Sequence, residues 1–236
     1  SLRVQSDRKR YHMEMKRRME AQDNLFLKEG EVARVVVENN EVKGIVTQLG
    51  AFHPAKCVII CTGTYLNGTI YVGQASYKSG PDGVHAAIEL MDSLREAGVA
   101  LRRFKTGTPA RVHRRSIDFS VLEEQPGDEP VIPFSFETMG ELKNTVSCHI
   151  AYTNPQTHKV IMESLDRSPL FDGTIEGVGP RYCPSIETKV VRFADKERHQ
   201  IFIEPCGIDT DEMYLQGMSS SLPEDVQVEM YRSIKG

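Results

Sequence analysis

Hydrophobic residues recur along the chain first at the spacing of a helix and then at the spacing of strands. Within residues 3–21, Tyr11, Met15 and Met19 lie four residues apart, which places them on one face of a helix. Polar residues 38–41 offer turn chemistry between short apolar runs. Those β-rich runs lie at 24–27, 33–37 and 42–47. The pattern predicts a helix followed by a small antiparallel meander.

The following segments alternate between strand and helix patterns. Residues 55–63 form a nearly continuous apolar run ending in Thr62 and Gly63, which is typical of a parallel strand covered on both faces. Together with the meander, this run resembles half of a dinucleotide-binding sheet. A helix over 83–97 should end at Gly98, a C-terminal cap signal. Further strands are predicted at 99–104, 146–152 and 199–204, helices at 157–165 and 224–234, and loops with short strands over 106–136.

Length and composition narrow the class of protein. A chain of 236 residues that is 39% hydrophobic has enough apolar side chains for one large or two small globular domains. No apolar run approaches the eighteen or so residues of a membrane span, so we expect no membrane contact and a cytoplasmic location. The five cysteines are an odd, scattered set in a chain of this length, which indicates reduced thiols rather than disulfides.

The chain has a formal net charge of −4 but contains two basic regions. Residues 1–20 carry seven Lys or Arg against three acids, and residues 101–115 carry six Lys or Arg and no acid. Such patches are suited to nucleic-acid phosphates. On charge alone, a solvated helix face and a basic surface loop are the favoured interpretation.

Several candidate sites come from local motifs, and each has a plain structural alternative. The G-x-G-x-x-G turn is absent, and residues 63–69 have phosphate-loop glycine spacing with Thr69 where a lysine is needed. Cys57 and Cys61 are expected to be buried small hydrophobes rather than zinc ligands. The turn at Thr62 and Gly63 suits a flavin dinucleotide or is simply a strand end. Residues 105–111 suit an anion or form a surface turn.

The segment 179–187 carries the strongest chemical signal. Its cysteine, Cys183, lies between two prolines in a polar stretch where burial gives no simple reason for a thiol. The nearby cations of Arg181, Lys189 and Arg192 favour the thiolate, which is the nucleophilic form. From the residues alone, Cys183 is either a reactive nucleophile or an inert thiol in an ordered loop.

Eight blocks in one order resemble the glucose-inhibited division protein A family, also called MnmG. They include Phe-Lys-Thr-Gly-Thr-Pro, Leu-Asp-Arg-Ser-Pro and Gly-Pro-Arg-Tyr-Cys-Pro-Ser-Ile-Glu. The blocks lie at 4–8, 61–68, 104–109, 116–120, 165–169, 175–187, 192–195 and 219–223. The resemblance implies a central fragment of a larger enzyme and an α/β fold class. That fold is part of an FAD-binding, glutathione-reductase-like Rossmann domain (residues 1–76) plus an inserted α+β substrate and NADH region (residues 77–236), which returns toward the FAD domain near its end.

The same resemblance implies an activity and its participants. The family enzyme uses FAD, NADH and methylenetetrahydrofolate to add a carboxymethylaminomethyl group to the wobble uridine of tRNA. It works as a homodimer with an MnmE-type GTPase. We expect this chain alone to be inactive and to hold FAD weakly or not at all, because the glycine turn for the pyrophosphate is missing. The alternatives are a folate- and FAD-dependent tRNA uridine methyltransferase, or a non-catalytic module that binds tRNA or a dinucleotide.

Residue roles follow from the resemblance position by position. Cys183 matches the family's second catalytic cysteine, and the resemblance leaves open which of the two family cysteines adds to uracil. The implied tRNA-binding residues are Lys105, Arg111, Arg181 and Lys189. The implied cofactor-binding residues are Val32, Thr62, Gly63, Gly179, Pro180, Arg181, Tyr182, Cys183, Pro184, Ser185, Lys189, Arg192 and Phe193. No metal site is expected.

Overall fold

The computed structural model describes residues 4–177, 179 and 184–236. The α-helices in this part of the chain are α1 (Arg8–Glu20), α2 (Glu89–Glu96), α3 (Pro155–Met162), α4 (Ile186–Arg192) and α5 (Glu224–Arg232). The strands are β1 (Val32–Glu38), β2 (Glu41–Thr47), β3 (Phe52–Pro54), β4 (Thr69–Val72), β5 (Ala75–Lys78), β6 (Arg111–His113), β7 (Glu123–Gln125), β8 (Cys148–Tyr152), β9 (Gln200–Pro205) and β10 (Glu212–Gln216). None of the helices described is both long and apolar enough to pass through a membrane.

The strands form three antiparallel sheets. Their orders are β1-β2-β3, β4-β5 and β6-β10-β9-β8-β7. The five-stranded sheet carries the main core, because β9 and β10 alternate side chains and bury Ile201, Ile203, Met213 and Leu215. Helices α3, α4 and α5 add their buried apolar faces to this cluster. The core therefore joins elements far apart in the sequence.

Most of the predicted elements are present. Helix α1 begins at Arg8, where the Asp7 side chain accepts a hydrogen bond from the Arg10 N–H. The predicted turn at 38–41 joins β1 to β2, with positive φ at both Asn39 and Asn40. The predictions of α2, β8, β9, α3 and α5 are confirmed with shifted ends. Residues 106–136 are loops with short strands, as expected.

Helix α2 stops where the sequence indicates, at Gly98. Gly98 has φ +84°, and its N–H donates to the Arg95 carbonyl at 2.9 Å, while the Val99 N–H donates to the Leu94 carbonyl at 2.9 Å. These paired bonds are a Schellman motif. The glycine is needed because a side chain disfavours this left-handed backbone.

Replacing Gly98 with alanine should lower the free energy of unfolding by about 1–2 kcal/mol. A Cβ at Gly98 would have no heavy atom within 4 Å, so the cost comes from the backbone alone. Urea unfolding followed by circular dichroism measures it. The matched control is Gly30→Ala, where a Cβ would make ordinary contact with Thr47 at 3.9 Å. Equal stability of the two variants would contradict the prediction.

Three predicted strands are wrong. Residues 24–27, 55–63 and 99–104 are not strands, and β3 supplies the third strand of the meander. The run at 57–61 exposes Cys57, Cys61 and 87% of Ile59, so these cysteines are not buried. A strand needs a partner backbone, and no described strand pairs with these segments. An apolar run by itself was therefore not sufficient evidence for a strand at these positions.

The predicted domain division stays a prediction. The β4–β5 hairpin spans residues 76 and 77, and α2 packs against β1 of the N-terminal meander. The Val35 N–H donates to Ser93 Oγ at 3.0 Å, which fixes that contact. The two predicted regions are therefore in contact across the division.

Candidate functional site

A short serine-rich loop lies at the centre of the candidate site. We call residues 217–223 (Gly-Met-Ser-Ser-Ser-Leu-Pro), between β10 and α5, the serine loop. Met218 and Leu222 are fully buried, and Ser219 and Ser221 are buried as well. Such burial is unusual for a connecting segment, which normally runs over the surface. Its polar groups therefore need hydrogen-bond partners inside the protein, although the Ser221 hydroxyl has none among the described residues.

Helix α4 supplies several of those partners. The Ile186 N–H donates to the Ser219 carbonyl at 2.8 Å. Glu187 Oε1 accepts hydrogen bonds from Ser220 Oγ at 2.8 Å and from the Ser221 N–H at 3.0 Å. Lys189 Nζ donates to the Gly217 carbonyl at 2.9 Å. The serine loop thus holds the beginning of the helix that follows Cys183 in the chain.

The basic segment 101–111 reaches the same loop from another side. A Cβ on Gly107 would lie 2.9 Å from the Ser219 Cβ, so only glycine permits this approach. The Ala110 N–H donates to the Tyr231 hydroxyl at 3.1 Å, and that hydroxyl donates to the Met218 carbonyl at 3.4 Å. Burial is the main cause that raises the pKa of Tyr231 to about 12. A neutral Tyr231 therefore links the basic segment to the serine loop.

The basic segment also lies beside the stretch that leads to Cys183. A Cβ on Gly177 would lie 3.2 Å from the Arg103 carbonyl oxygen, and one on Gly179 would lie 3.8 Å from Lys105 Cδ. The β4–β5 hairpin joins this arrangement, because the Gly73 N–H donates to the Ser221 carbonyl at 2.7 Å. Gly177 and Gly179 are thus neighbours of Arg103 and Lys105 in the fold, although the residues of each pair are 74 positions apart in the sequence.

The centre of the predicted site lies partly outside the described residues. Pro180, Arg181, Tyr182 and Cys183 belong to this undescribed part. Among the flanking residues, Gly179 is exposed and Pro184 is half-buried. Ser185 is buried, and its hydroxyl accepts from the Thr188 N–H as the N-cap of α4.

The other predicted cofactor-binding residues near α4 lie within the described part of the chain. Arg192 is exposed at the end of α4, with its guanidinium carbon 5.7 Å from the ring centre of Phe193, which is 44% exposed. Lys189 is half-buried and bound to the serine loop. Both side chains of Arg192 and Phe193 are therefore accessible to a ligand.

Arg111 is engaged with protein groups. Its Nη1 donates to Thr108 Oγ1 at 2.7 Å and to the Pro109 carbonyl at 2.9 Å. Its guanidinium carbon lies 4.6 Å from the Tyr214 ring centre, and its Nε lies 3.5 Å from Glu212. These contacts order the basic segment. Its binding to tRNA phosphate stays a prediction.

The predicted FAD contacts lie in the N-terminal part of the chain. Val32 begins β1 and faces Thr47 of β2. The Thr62 carbonyl accepts from the Tyr65 N–H at 2.9 Å, and Gly63 has φ +51° in an exposed turn. The segments described above as contacting the serine loop are α4, the basic segment and the β4–β5 hairpin, which do not include Val32, Thr62 or Gly63. The described residues contain no group of three or more His, Cys, Asp or Glu side chains arranged to hold a metal ion.

Two histidines meet at the end of β8. Thr153 Oγ1 accepts from the His199 N–H at 2.7 Å and lies 2.8 Å from His158 Nε2. Burial lowers the pKa of both histidines, and the neighbouring His158 and Lys189 lower the pKa of His199 further, against a smaller opposing effect of Asp195. Both imidazoles are therefore neutral near pH 7.

The thermal midpoint should fall as the pH decreases from 7.5 to 5.5. The unfolded histidines take up protons near their ordinary pKa of 6.5, whereas the folded ones resist protonation, so stability rises with pH in this window. Differential scanning fluorimetry across the range measures the slope. His158→Gln should flatten it, while His12→Gln, on the exposed α1, should leave it unchanged. A slope that is the same in all three proteins would contradict the prediction.

Comparison with known proteins gives this arrangement its family. The family described as Glucose inhibited division protein A matches residues 1–236. The chain belongs to this family. Two relatives named tRNA uridine 5-carboxymethylaminomethyl modification enzyme MnmG, from Clostridium botulinum strain Hall and Caldicellulosiruptor saccharolyticus, are each 57% identical over the whole chain. The chain spans 38% of the length of either relative.

Solved structures support the same assignment. Aquifex aeolicus GidA in its form I crystal matches 98% of this chain and 40% of its own chain, with 50% identity and a TM-score of 0.90. Its form II crystal matches with 48% identity and a TM-score of 0.88. The predicted fold class is thereby confirmed: the chain is a mixed α/β part of the GidA fold. The sheets described within this part are antiparallel.

Sequence reasoning missed the residues that organise this part of the GidA fold. Glu187, Tyr231 and the serine loop received no role, although residues 219–223 were among the family blocks. Three adjacent serines before Leu-Pro suggest an exposed turn. No helix was predicted over Ile186–Arg192, and the apolar Ile186 beside Glu187 was a weak signal. Burial of that carboxylate depends on the serine loop, which lies between β10 and α5.

Proposed function

We propose that this chain is the part of an FAD- and NADH-dependent tRNA-modifying enzyme that carries its nucleophilic Cys183. The whole enzyme adds the carboxymethylaminomethyl group to C5 of the wobble uridine. One observation supports this most: the serine loop holds the helix after Cys183 against the basic segment, which carries four Lys or Arg and no acid. The names of the relatives agree with this reaction.

The chemistry proposed for Cys183 is that of an activated thiolate. Its sulfur adds to the uracil ring, and the ring carbon next to the new bond becomes nucleophilic. Lys189 and Arg192 lie on the next helix and favour the thiolate electrostatically. When bound, FAD with NADH supplies the redox chemistry and methylenetetrahydrofolate the carbon. The nucleophilic ring carbon would bond to that methylene carbon, and loss of its proton would then restore the ring double bond and expel the Cys183 thiolate.

Parts of the chain fit these cofactors. Gly63 lies in an exposed turn, and a Cβ built on it would lie 3.8 Å from its nearest neighbour, Tyr65 Cδ2. Because glycine has no Cβ, a ligand such as FAD has close access to this backbone. The exposed Gly179, Arg192 and Phe193 offer a similar approach for NADH. Ser185 is different, because its hydroxyl is buried in the helix cap. We propose that Ser185 serves the NADH site by holding α4, not by direct contact.

The proposed RNA contacts lie along the basic segment. Arg102 is exposed and Lys105 half-buried, on the segment that passes Gly179. Phosphate contacts from such residues supply most of the affinity for nucleic acid. We propose Lys105, Arg111, Arg181 and Lys189 for this role, with Lys189 and Arg111 also bound to protein groups.

The proposal also covers the setting in which the enzyme works. We propose a cytoplasmic homodimer that acts together with an MnmE-type GTPase. The isolated chain is proposed to be inactive.

The decisive experiment uses the full-length protein that contains this chain. Unmodified tRNA is incubated with it, the GTPase partner, FAD, NADH, methylenetetrahydrofolate and glycine or ammonium, and the nucleosides are separated by mass. We expect carboxymethylaminomethyluridine at the wobble position only. A methylated uridine would favour the methyltransferase alternative. Binding of tRNA without any product would favour the non-catalytic module.

A further inference from the structure

Helix α1 is attached to the rest of the chain through its first turn and adds nothing to the core. None of its 13 residues is buried. The Arg8 N–H donates to the Cys206 carbonyl at 3.2 Å, and the Ile208 N–H donates to Asp7 Oδ2 at 2.8 Å. An isolated helix of this length is only marginally stable in water. The sequence therefore maintains a surface helix that contributes little to packing within this chain.

The charge of α1 is opposite to that of the rest of the chain. The helix contains six Lys or Arg and two Glu, which gives a formal charge of +4. Because the whole chain carries −4, its other residues together carry −8. The basic character of α1 is therefore a local concentration of cations and does not reflect the overall composition.

Four of these cations share one side of the helix. An α-helix has 3.6 residues per turn, so Lys9 lies in line with Lys16, and Arg10 lies in line with Arg17 beside them. The members of each pair are about 10 Å apart along the helix axis. The side chains of Arg10, Lys16 and Arg17 are 58–68% exposed, and Lys9 is exposed as well. We call these four residues the cationic face.

The ion pairs on α1 leave the cationic face available. Lys16 Nζ lies 3.7 Å from Glu20, and Arg17 Nη2 lies 2.8 Å from Glu14. Exposed pairs of this kind contribute little to stability, so a phosphate can compete for the same cations. Met13 lies between the two lines of cations, whereas the apolar residues at positions 11, 15 and 19 lie on the opposite side.

The start of α1 lies beside the basic segment. The Arg8 N–H donates to the Cys206 carbonyl, and the Cys206 N–H donates to the Glu212 carbonyl at 3.0 Å. Glu212 Oε1 in turn lies 3.5 Å from Arg111 Nε, at the end of the basic segment. Burial raises the pKa of the Cys206 thiol, and the charges of Arg111 and Arg8 both act against it, which is consistent with their proximity. The two basic surfaces are therefore adjacent.

We propose that the cationic face of α1 binds phosphates of the RNA substrate and extends the RNA-binding surface beyond the basic segment. That this RNA is tRNA rests on the proposed function. Two lines of cations, each about 10 Å long, suit a backbone of several nucleotides better than a single small anion. Such contacts supply affinity and fix the orientation of the RNA without reading its sequence.

The test removes two charges from the cationic face in the full-length protein, with Lys9→Gln and Lys16→Gln combined. Filter binding measures the affinity for tRNA over a range of about 50 to 200 mM salt. We expect the Kd to rise about tenfold, and the slope of log affinity against log salt to shrink by about one unit for each lysine. The KM for tRNA should rise by the same factor with kcat unchanged. Lys9→Arg with Lys16→Arg should retain the original affinity and slope.

Lys159→Gln on α3 is the matched control. Lys159 is 62% exposed and lies 3.9 Å from Glu163, much as Lys16 is 58% exposed and lies 3.7 Å from Glu20. The control should change neither the Kd nor the slope. If the double variant loses helix content, either single substitution should give half of the change in slope.

Three outcomes decide between the possibilities. An unchanged slope in a folded double variant overturns the proposal. A double variant that binds tRNA normally but has an altered mass by light scattering also overturns it, because the cationic face is then a protein interface. A reduced slope in a protein that forms no modified uridine supports RNA binding by α1 and refutes the proposed function instead.

Discussion

Replacing Cys183 with serine in the full-length protein is expected to abolish tRNA modification, with a loss of about a thousandfold or more. Serine has nearly the same shape, but its hydroxyl is a far weaker acid than a thiol and supplies almost no anion near neutral pH. Binding of tRNA should change little, since phosphate contacts supply most of that affinity. Mass analysis of the wobble nucleoside measures the first effect, and a filter-binding assay measures the second.

Cys206→Ser is the matched control. Cys206 is half-buried, and burial is the main cause that raises the pKa of its thiol, with Glu212 adding to the effect. It therefore remains a thiol rather than a thiolate under conditions where Cys183 is expected to react. Its serine variant should retain nearly all activity. If Cys183→Ser retained activity while Cys206→Ser lost it, the nucleophile would have to be sought elsewhere.

Truncating Met218 to alanine should lower the free energy of unfolding by about 2–5 kcal/mol. Met218 is fully buried in the serine loop and packs in the core with Leu222 and Met230. The cavity would also loosen the Met218 carbonyl that accepts from Tyr231. Urea unfolding gives the stability, and hydrogen exchange at the Ala110 amide reports whether the basic segment loosens with it.

Met218→Leu controls for the change of residue type. Leucine has a similar volume, so the expected cost is less than about 1.5 kcal/mol. The Ala110 amide should stay protected in this variant. A Met218→Ala protein as stable as Met218→Leu would show that the serine loop collapses around the vacant volume, and that it is not the fixed centre we describe.

The candidate site was predictable from the sequence only as a set of separate segments. Residues 105–111 and 179–187 were recognised because cations, prolines and a cysteine are rare in such combinations. Their proximity was not predictable, because it depends on Gly107 and α4 both contacting the serine loop. Arg111 illustrates the same limit, since its cation–π contact with Tyr214 follows from the pairing of β6 with β10.

The fold divides in a similar way. Local signals predicted α1, the β1–β2 turn and the end of α2 at Gly98, because capping and left-handed backbone preferences act over a few residues. The eight sequence blocks were sufficient for the family. Strand β10, the β4–β5 hairpin and the buried Glu187 became visible only in the tertiary structure. There, strand pairing and burial depend on distant partners, which also explains why the apolar run at 57–61, without a described partner strand, is exposed.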